Sequence, residues 1–298
     1  MSGLQPRVSV IVPTRNEAPN LEKILPTIPA VHEVIVVDGG STDGTVETAR
    51  RVLPTVKVIS QTRRGKGNAM ACGFEHATGD ILVMFDADGS ADAREIELMV
   101  AALVNGADFV KGSRMLHGGG SADLTGLRAL GNRALTAVVN VVFRTRYTDL
   151  CYGYNAFWSD VLPVFDLPPI SATTPQWGDG FEIETLLNCR AAAAKLTILE
   201  IPSYEHGRIH GVSNLNAFSD GMRVLRTIEN ERRRAREARR RPLGDTVRFT
   251  SHSVRKPLSR FDEASSSSVG HFDDVSPSSP GERGGIPLTV AATADIEN

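Results

Sequence analysis

Cysteine is scarce in this chain, and the three that occur do not form a set. Cys72, Cys151 and Cys189 lie far apart, with no C-x-x-C and no Cys/His ligand spacing. Zinc-finger and disulfide-framework readings lose their basis, and reduced thiols in a cytoplasmic protein are the expectation. Long apolar runs are missing too. The opening residues, MSGLQPRVSVIVP, hold no apolar signal segment before the first strand-like run. The longest apolar stretch, ALTAVVNVVF, is about half of the ~20 residues that a spanning helix needs. A soluble chain, or one peripheral to the cytoplasmic face of a membrane, is expected. Charge of one sign is also lacking: 33 Lys and Arg stand against 35 Asp and Glu. That balance gives no chain-wide pull toward nucleic acid, which is not expected as a partner. No G-x-G-x-x-G follows the first strand-like run and no G-K-[ST] P-loop occurs, so dinucleotide and P-loop readings lose support. No internal repeat is visible.

What is present is ordinary globular composition, 41% hydrophobic and 23% charged. Short β-branched runs alternate with helical patterns through the first 115 or so residues. The runs are VSVIVP (8–13), EVIVVDGGS (33–41), VKVIS (56–60), DILVMFDAD (80–88) and DFVKGSR (108–114). They are nearly continuous apolar stretches, as parallel strands covered on both faces should be. The pattern predicts an α/β fold: a mostly parallel central sheet with helices on both faces. Further on, a Gly-rich loop leads into an amphipathic helix over 127–143, followed by an aromatic-rich turn (DLCYGYNAFW), a polar loop with WGDGFEIETLL, a strand (LTILEIPSYEH) and a basic helix ending RRRAREARRR. Residues 1–241 are read as one domain. Residues 242–298, rich in Ser and Pro, read as a disordered tail.

In doubly wound sheets, ligands bind beyond the carboxyl ends of the strands. Three polar clusters fall at such ends: Thr14 to Glu17, Asp38 to Ser41, and Asp86 to Asp88. Two carboxylates at i and i+2 of a strand end point the same way and repel, and Mg²⁺ or Mn²⁺ relieves that repulsion. The competing reading is a solvated strand-to-turn junction. Asp38 ends an apolar strand and offers an acceptor to a base N–H or a ribose hydroxyl; equally, it starts a turn in which Thr42 or Asp43 caps the next helix. Asn16 and Glu17 read as a helix cap or as ligand contacts. Arg63, Arg64, Lys66 and Arg114 suit a diphosphate, or are solvated surface cations.

Taken in order, PTRNE, VVDGGSTDGT, GKGNAM, the D-A-D and KGSR resemble the family 2 glycosyltransferases, which have the GT-A fold. LRALGN, YGYNAF and RIHGVSNLN resemble the polyprenyl-phosphate sugar transferase branch, which includes dolichyl-phosphate mannose synthase. The similarity spans about 8–230, so 1–241 would be the catalytic domain. The resemblance implies nucleotide-sugar contacts at Pro13, Thr14, Glu17, Asp38, Lys66 and Asp86. It implies a Mg²⁺ or Mn²⁺ ion at Asp86 and Asp88, catalytic work for Asp88 and Arg114, and phosphate contacts at Arg128 and Arg208. Two departures stand out. The second Asp that often follows Asp38 is here Gly39. The acidic pair that supplies the base in many hydroxyl-acceptor members is here Glu182-Ile183.

A sugar hydroxyl must lose a proton as it attacks, so a positioned base helps. A phosphate monoester, with a second pKa of ~6, is already anionic and needs cations instead. The expectation is a metal-dependent, inverting hexosyl transfer from a nucleotide sugar, GDP-mannose or a UDP-hexose, to a polyprenyl phosphate. Asp179, Glu182 and Glu184 remain as carboxylates able to supply a base from another position or to orient sugar hydroxyls; the plainer reading of Glu182 and Glu184 is a helix first turn. A saccharide-hydroxyl acceptor, a sugar nucleotidyltransferase and an adaptor using the Arg-rich helix stay open. Leu127, Leu130, Leu135, Val138, Val139 and Val142 form an apolar stripe, either core or a membrane contact. The seven arginines between 232 and 241 are either a solvated helix end or an attraction to anionic lipid.

Overall fold

The computed structural model describes residues 5–211 and 217–240. The chain runs β1 (Val8–Thr14), α1 (Ala18–Ile24), β2 (Glu33–Asp38), α2 (Thr45–Val52), β3 (Lys57–Ser60), α3 (Lys66–His76), β4 (Ile81–Met84), α4 (Glu95–Val104) and β5 (Phe109–Ser113). There follow β6 (Gly120–Ser121), α5 (Gly126–Phe143), β7 (Asn155–Trp158), α6 (Leu162–Phe165), α7 (Ile183–Ala193), β8 (Ile198–Pro202), β9 (Tyr204–Glu205) and α8 (Ala217–Arg240). The main sheet has the order β3-β2-β1-β4-β7-β5-β8, and β6 and β9 form a small second sheet. All five runs expected as strands are strands, and in all but the half-buried edge strand β3 the side chains alternate between two covered faces. That is why they show no polar alternation.

Besides the two-residue β6 in the Gly-rich loop, one strand of the main sheet was not expected. The aromatic-rich turn contains β7, which enters antiparallel between β4 and β5. Phe157 and Trp158 favour a strand, but four residues are too short a run to show its periodicity. Packing supplies what so short a run does not: Phe157 stacks on Phe109 with centroids 5.9 Å apart and meets Phe165 and Phe74 edge-on. The polar loop is corrected too, since WGDGFEIETLL runs into α7, with Glu182 at its N-cap and Glu184 in its first turn.

Register sets the level of the strand ends. Thr14 pairs with Asp38 and Asp38 with Ser60, while Met84 pairs with Ile11 on one side and Asn155 on the other. Asp86 and Asp88 therefore leave the sheet at the end where Thr14 and Asp38 leave it.

The stripe on α5 divides. Val139 is buried with Tyr147, Leu150, Cys189 and Ile228, and Leu135 and Val142 pack against that cluster. Leu127, Leu130 and Val141 are 74%, 65% and 80% exposed, and Val138 is exposed as well. No helix among the described residues is long and apolar enough to cross a membrane. On α8, Glu231 forms a buried ion pair with Arg190 at 2.8 Å, while Arg232 and Arg233 bond Glu229 and Arg234 bonds Asp166. The three cysteines are unpaired. The tail expected over 242–298 lies outside the described residues.

Candidate active site

The first cluster is held together by its own loops. Asp38, buried at the end of β2, accepts from the amides of Gly40 at 3.0 Å and Ser41 at 3.1 Å. Gly40 has a φ of 79°, a turn that a side chain would strain. Asn16 also sits at positive φ and joins the neighbouring loop: its amide donates to Ser41 Oγ, and its Oδ1 accepts from Thr42 N. Asp43 accepts from the amides of Thr45 and Ala18, so it ties the start of α2 to that of α1. Thr14 donates through Oγ1 to Val37 O, and Pro13 lies beside it on β1. The turn expected at Asp38 is present and shapes a fixed polar edge, but the N-cap of α2 is Gly44, without a side-chain cap bond, and not Thr42 or Asp43.

The second cluster surrounds the two aspartates. Lys66, the first residue of α3, places Nζ 2.7 Å from Asp86 Oδ1 and 2.5 Å from Glu184 Oε1. Burial opposes charge on Lys66, but Asp86 and Glu184 outweigh it and raise the ammonium above its usual range. Enclosure by the chain pushes the Asp86 carboxyl up to about 6; Lys66 opposes this, while Asp88 and Glu184 add to it. Asp88 accepts from Ser90 N at 3.0 Å and from Arg208 Nη2 at 2.8 Å. Arg208 also lies 3.6 Å from Glu17, whose carboxyl burial raises. The segment carrying Arg208 lies along the D-A-D turn, with His206 N bonded to Ser90 O and Ile209 N to Asp88 O. Gly89, at φ 80°, leaves the room that the Ile209 side chain occupies.

Two carboxylates separated by one residue, each already drawing a basic side chain of the chain, are the oxygen donors that Mg²⁺ or Mn²⁺ takes. No group of three or more His, Cys, Asp or Glu placed to hold a metal occurs among the described residues. A cation here would complete its shell with ligand oxygens and water, as Mg²⁺ characteristically does. The residues present fit such an ion.

Several expected site residues are engaged elsewhere. Asp179 is not free to act as a base: Arg63 holds both its oxygens at 2.8 Å, with Nη1 bonded to Pro169 O and Ala172 O. This clamp fastens the loop before α7 onto the start of α3, where Gly67 N meets Gly180 O and Asn68 N meets Asp179 O. Gly65 and Gly67 are required because the carbonyls of Asp179 and Gly178 occupy the space of a side chain. Glu182 turns back to accept from the amides of Gly178 and Gly180, with Arg223 3.8 Å away. Arg114 is buried against Asp149 at 2.7 Å and Glu205 at 2.9 Å, its guanidinium over the Tyr152 ring. These partners lie outside the Asp86–Lys66–Glu184 group, and through Glu205 on β9 Arg114 is tied to the small sheet. Arg128 sits at the start of α5, 3.5 Å from Asp123.

The expected residues that the structure does bring together are Glu17, Lys66, Asp86, Asp88, Glu184 and Arg208. Sequence reading named Arg63 only as a loop cation and missed its partner 116 residues away. Asp149 went unremarked. An isolated aspartate ahead of an aromatic run carries no signal until Arg114 is seen beside it.

Comparison with known proteins agrees with this geometry. The glycosyl transferase family 2 pattern matches residues 9–159. An undecaprenyl-phosphate mannosyltransferase of Micrococcus luteus is 33% identical over 206 residues, 66% of this chain and 82% of its own length. A dolichol-phosphate mannosyltransferase of Pyrococcus furiosus is 31% identical over 219 residues, 70% of this chain and 59% of its own. Among solved structures, the glucosyl-3-phosphoglycerate synthase of Mycobacterium tuberculosis, in complex with Mn²⁺, UDP and phosphoglyceric acid, superimposes with a TM-score of 0.58. It is 22% identical and covers 76% of this chain and 78% of its own, which makes the fold GT-A. With a mostly parallel sheet, a D-A-D after β4 and the family pattern across half its length, this chain belongs to glycosyltransferase family 2.

Proposed function

We propose that this glycosyltransferase moves a hexose from a nucleoside-diphosphate sugar, GDP-mannose or a UDP-hexose, to a polyprenyl phosphate, with inversion. The observation that carries the reading is the engagement of the carboxylates after Gly178. Asp179 is held by Arg63, Glu182 by two backbone amides, and one oxygen of Glu184 by Lys66. A hydroxyl acceptor needs a base poised to take its proton. An ionised phosphate oxygen can attack the anomeric carbon directly; the new C–O bond forms as the bond to the donor diphosphate breaks, and no proton moves.

What such a transfer needs is positive charge between two anionic reactants. Lys66 and Arg208 supply it at Asp86 and Asp88, with Glu17 orienting the Arg208 guanidinium. Asp86 and Asp88 would hold Mg²⁺ or Mn²⁺, which when bound supplies Lewis-acid stabilisation of the departing diphosphate. Pro13, Thr14 and Asp38 would border the base and ribose. Arg114, buried between Asp149 and Glu205, is a support in this reading, while Arg128 would face the acceptor phosphate. Residues 1–241 would form the catalytic domain.

Peripheral attachment to a membrane fits the same reading. The exposed face of α5 carries Leu127, Leu130, Val138 and Val141, and the helix contains two arginines and no carboxylate. Apolar groups beside cations suit an anionic bilayer surface. The similar mannosyltransferases are described by lipid-phosphate acceptors. The test is to supply labelled nucleotide sugar with membranes: label is expected in a mild-acid-labile lipid. Label found only in alkali-stable polysaccharide would contradict the phosphate acceptor.

A further inference from the structure

Glu184 has one role still to be accounted for. Its Oε1 bonds Lys66, while Oε2 accepts from none of the described residues. The carboxylate rests on Gly153: a Cβ added there would fall 2.6 Å from Glu184 Cδ and 3.2 Å from Oε2. Gly153 is thus a seat that any side chain would fill. Because β7 runs antiparallel to β4 with Met84 opposite Asn155, Gly153 lies two residues before that pair and Asp86 two residues after it. The seat and the first aspartate are therefore side by side at one end of the sheet.

Strand order then lays out a line of stations. Asp38 ends β2, Thr14 ends β1, Asp86 and Asp88 follow β4, and Gly153 with Glu184 comes next, at the start of β7. Adjacent strands are about 4.8 Å apart, so the line runs for roughly 14 Å. On the donor reading given above, on which this inference rests, base and ribose occupy the first two stations and the diphosphate the third. The group left for the fourth is the sugar. An ionised carboxylate is an acceptor with no donor of its own, suited to the hydroxyls of a hexose. Lys66 spans the third and fourth stations and holds Glu184 in place.

We propose that Glu184 is a specificity residue that binds the hydroxyls of the transferred sugar, seated on Gly153 and positioned by Lys66. It is not the general base that its acidic neighbourhood invites. The test compares binding of a sugar nucleotide (GDP-mannose or UDP-glucose, whichever the native protein takes) with binding of GDP or UDP alone, by calorimetry. Glu184→Gln, which keeps shape and removes charge, should weaken the sugar nucleotide about tenfold or more, the loss of a charged hydrogen bond. Affinity for the bare nucleoside diphosphate should change much less, because Asp86 still holds Lys66. Gly153→Ala, which leaves Glu184 in the sequence but displaces its carboxylate, should give the same selective loss. Equal weakening of both ligands by both variants would overturn the assignment, as would unchanged binding with lost transfer, the mark of a base. If the native protein binds no nucleotide sugar, the donor reading itself fails; if it binds one no differently from the variants, only the role of Glu184 does.

Discussion

Arg208 reaches across to Asp88, its Nη2 2.8 Å from Oδ2, and the same guanidinium lies 3.6 Å from Glu17. One planar cation so joins the turn after β4 to the loop after β1. Its segment is fixed by backbone bonds at Ser90 and Asp88, so the geometry does not rest on a single side chain. Arg208→Ala is expected to lower the rate of transfer about 10²- to 10³-fold, as removal of a charge-stabilising donor does. Arg208→Lys restores the charge without the fork and should recover only part of the rate. Steady-state kinetics of the two variants check this, with retention of the native rate by Arg208→Ala as the opposing result.

Asp88 answers for the cation. Asp88→Ala should abolish transfer and remove any stabilisation of the protein by Mn²⁺ plus nucleotide in a thermal melt. Unchanged turnover by this variant with Mg²⁺ or Mn²⁺ supplied would count against a metal at the carboxylate pair.

The Arg63–Asp179 pair is read as a clamp, and its energetics should say so. Removing one partner of a buried ion pair strands the other, at a cost of about 3–5 kcal/mol. Asp179→Ala and Arg63→Ala should each destabilise by that order in urea unfolding, and the double variant by less than their sum. The fraction still folded should keep its intrinsic rate of transfer. A catalytic base would behave oppositely, losing rate with little loss of stability.

Legibility of the sequence followed the range of the interactions. The five runs that became parallel strands were plain because a two-sided apolar environment writes itself into consecutive residues. β7 was hidden because Phe157 owes its place to Phe74, Phe109 and Phe165, contacts that no window of neighbouring residues contains. The site divided the same way. Asp86 and Asp88 stood out through their spacing at a strand end, and Lys66 as a loop cation within the GKGNAM motif. The partners that decide what each carboxylate can do, Arg63 for Asp179 and Lys66 for Glu184, are more than 100 residues away. Sequence alone left Asp179, Glu182 and Glu184 all open as bases and favoured the first two; tertiary pairing separates them.

Acid should reveal the second buried pair. Asp149 is fully buried, and although burial alone would raise its carboxyl, Arg114 holds it below the usual carboxylate range. A carboxyl depressed in the folded state adds stability above its unfolded value of ~3.9, and that stability is lost as pH falls through the folded value. Asp149→Asn should therefore lose stability at neutral pH and show a shallower decline below about pH 4. Unfolding midpoints measured from pH 7 down to pH 3 check the sign; parallel curves for native and variant protein would refute it.

The face of α5 can be tested apart from catalysis. Leu127→Ser with Leu130→Ser exchanges two exposed side chains, so the fold should be unaffected. Sedimentation with vesicles containing anionic lipid is expected to fall, while affinity for the nucleotide sugar stays unchanged. Equal sedimentation of native and variant protein would remove α5 from the membrane contact.

The central claim concerns the acceptor, and one comparison addresses it directly. Purified protein with nucleotide sugar and Mg²⁺ or Mn²⁺ would be given a polyprenyl phosphate and, in parallel, the polyprenol of the same chain length. Transfer to the phosphate with none to the alcohol is the expected result, because the site offers cations and no poised base. Equal transfer to the alcohol, or transfer only to a saccharide hydroxyl, would contradict the account.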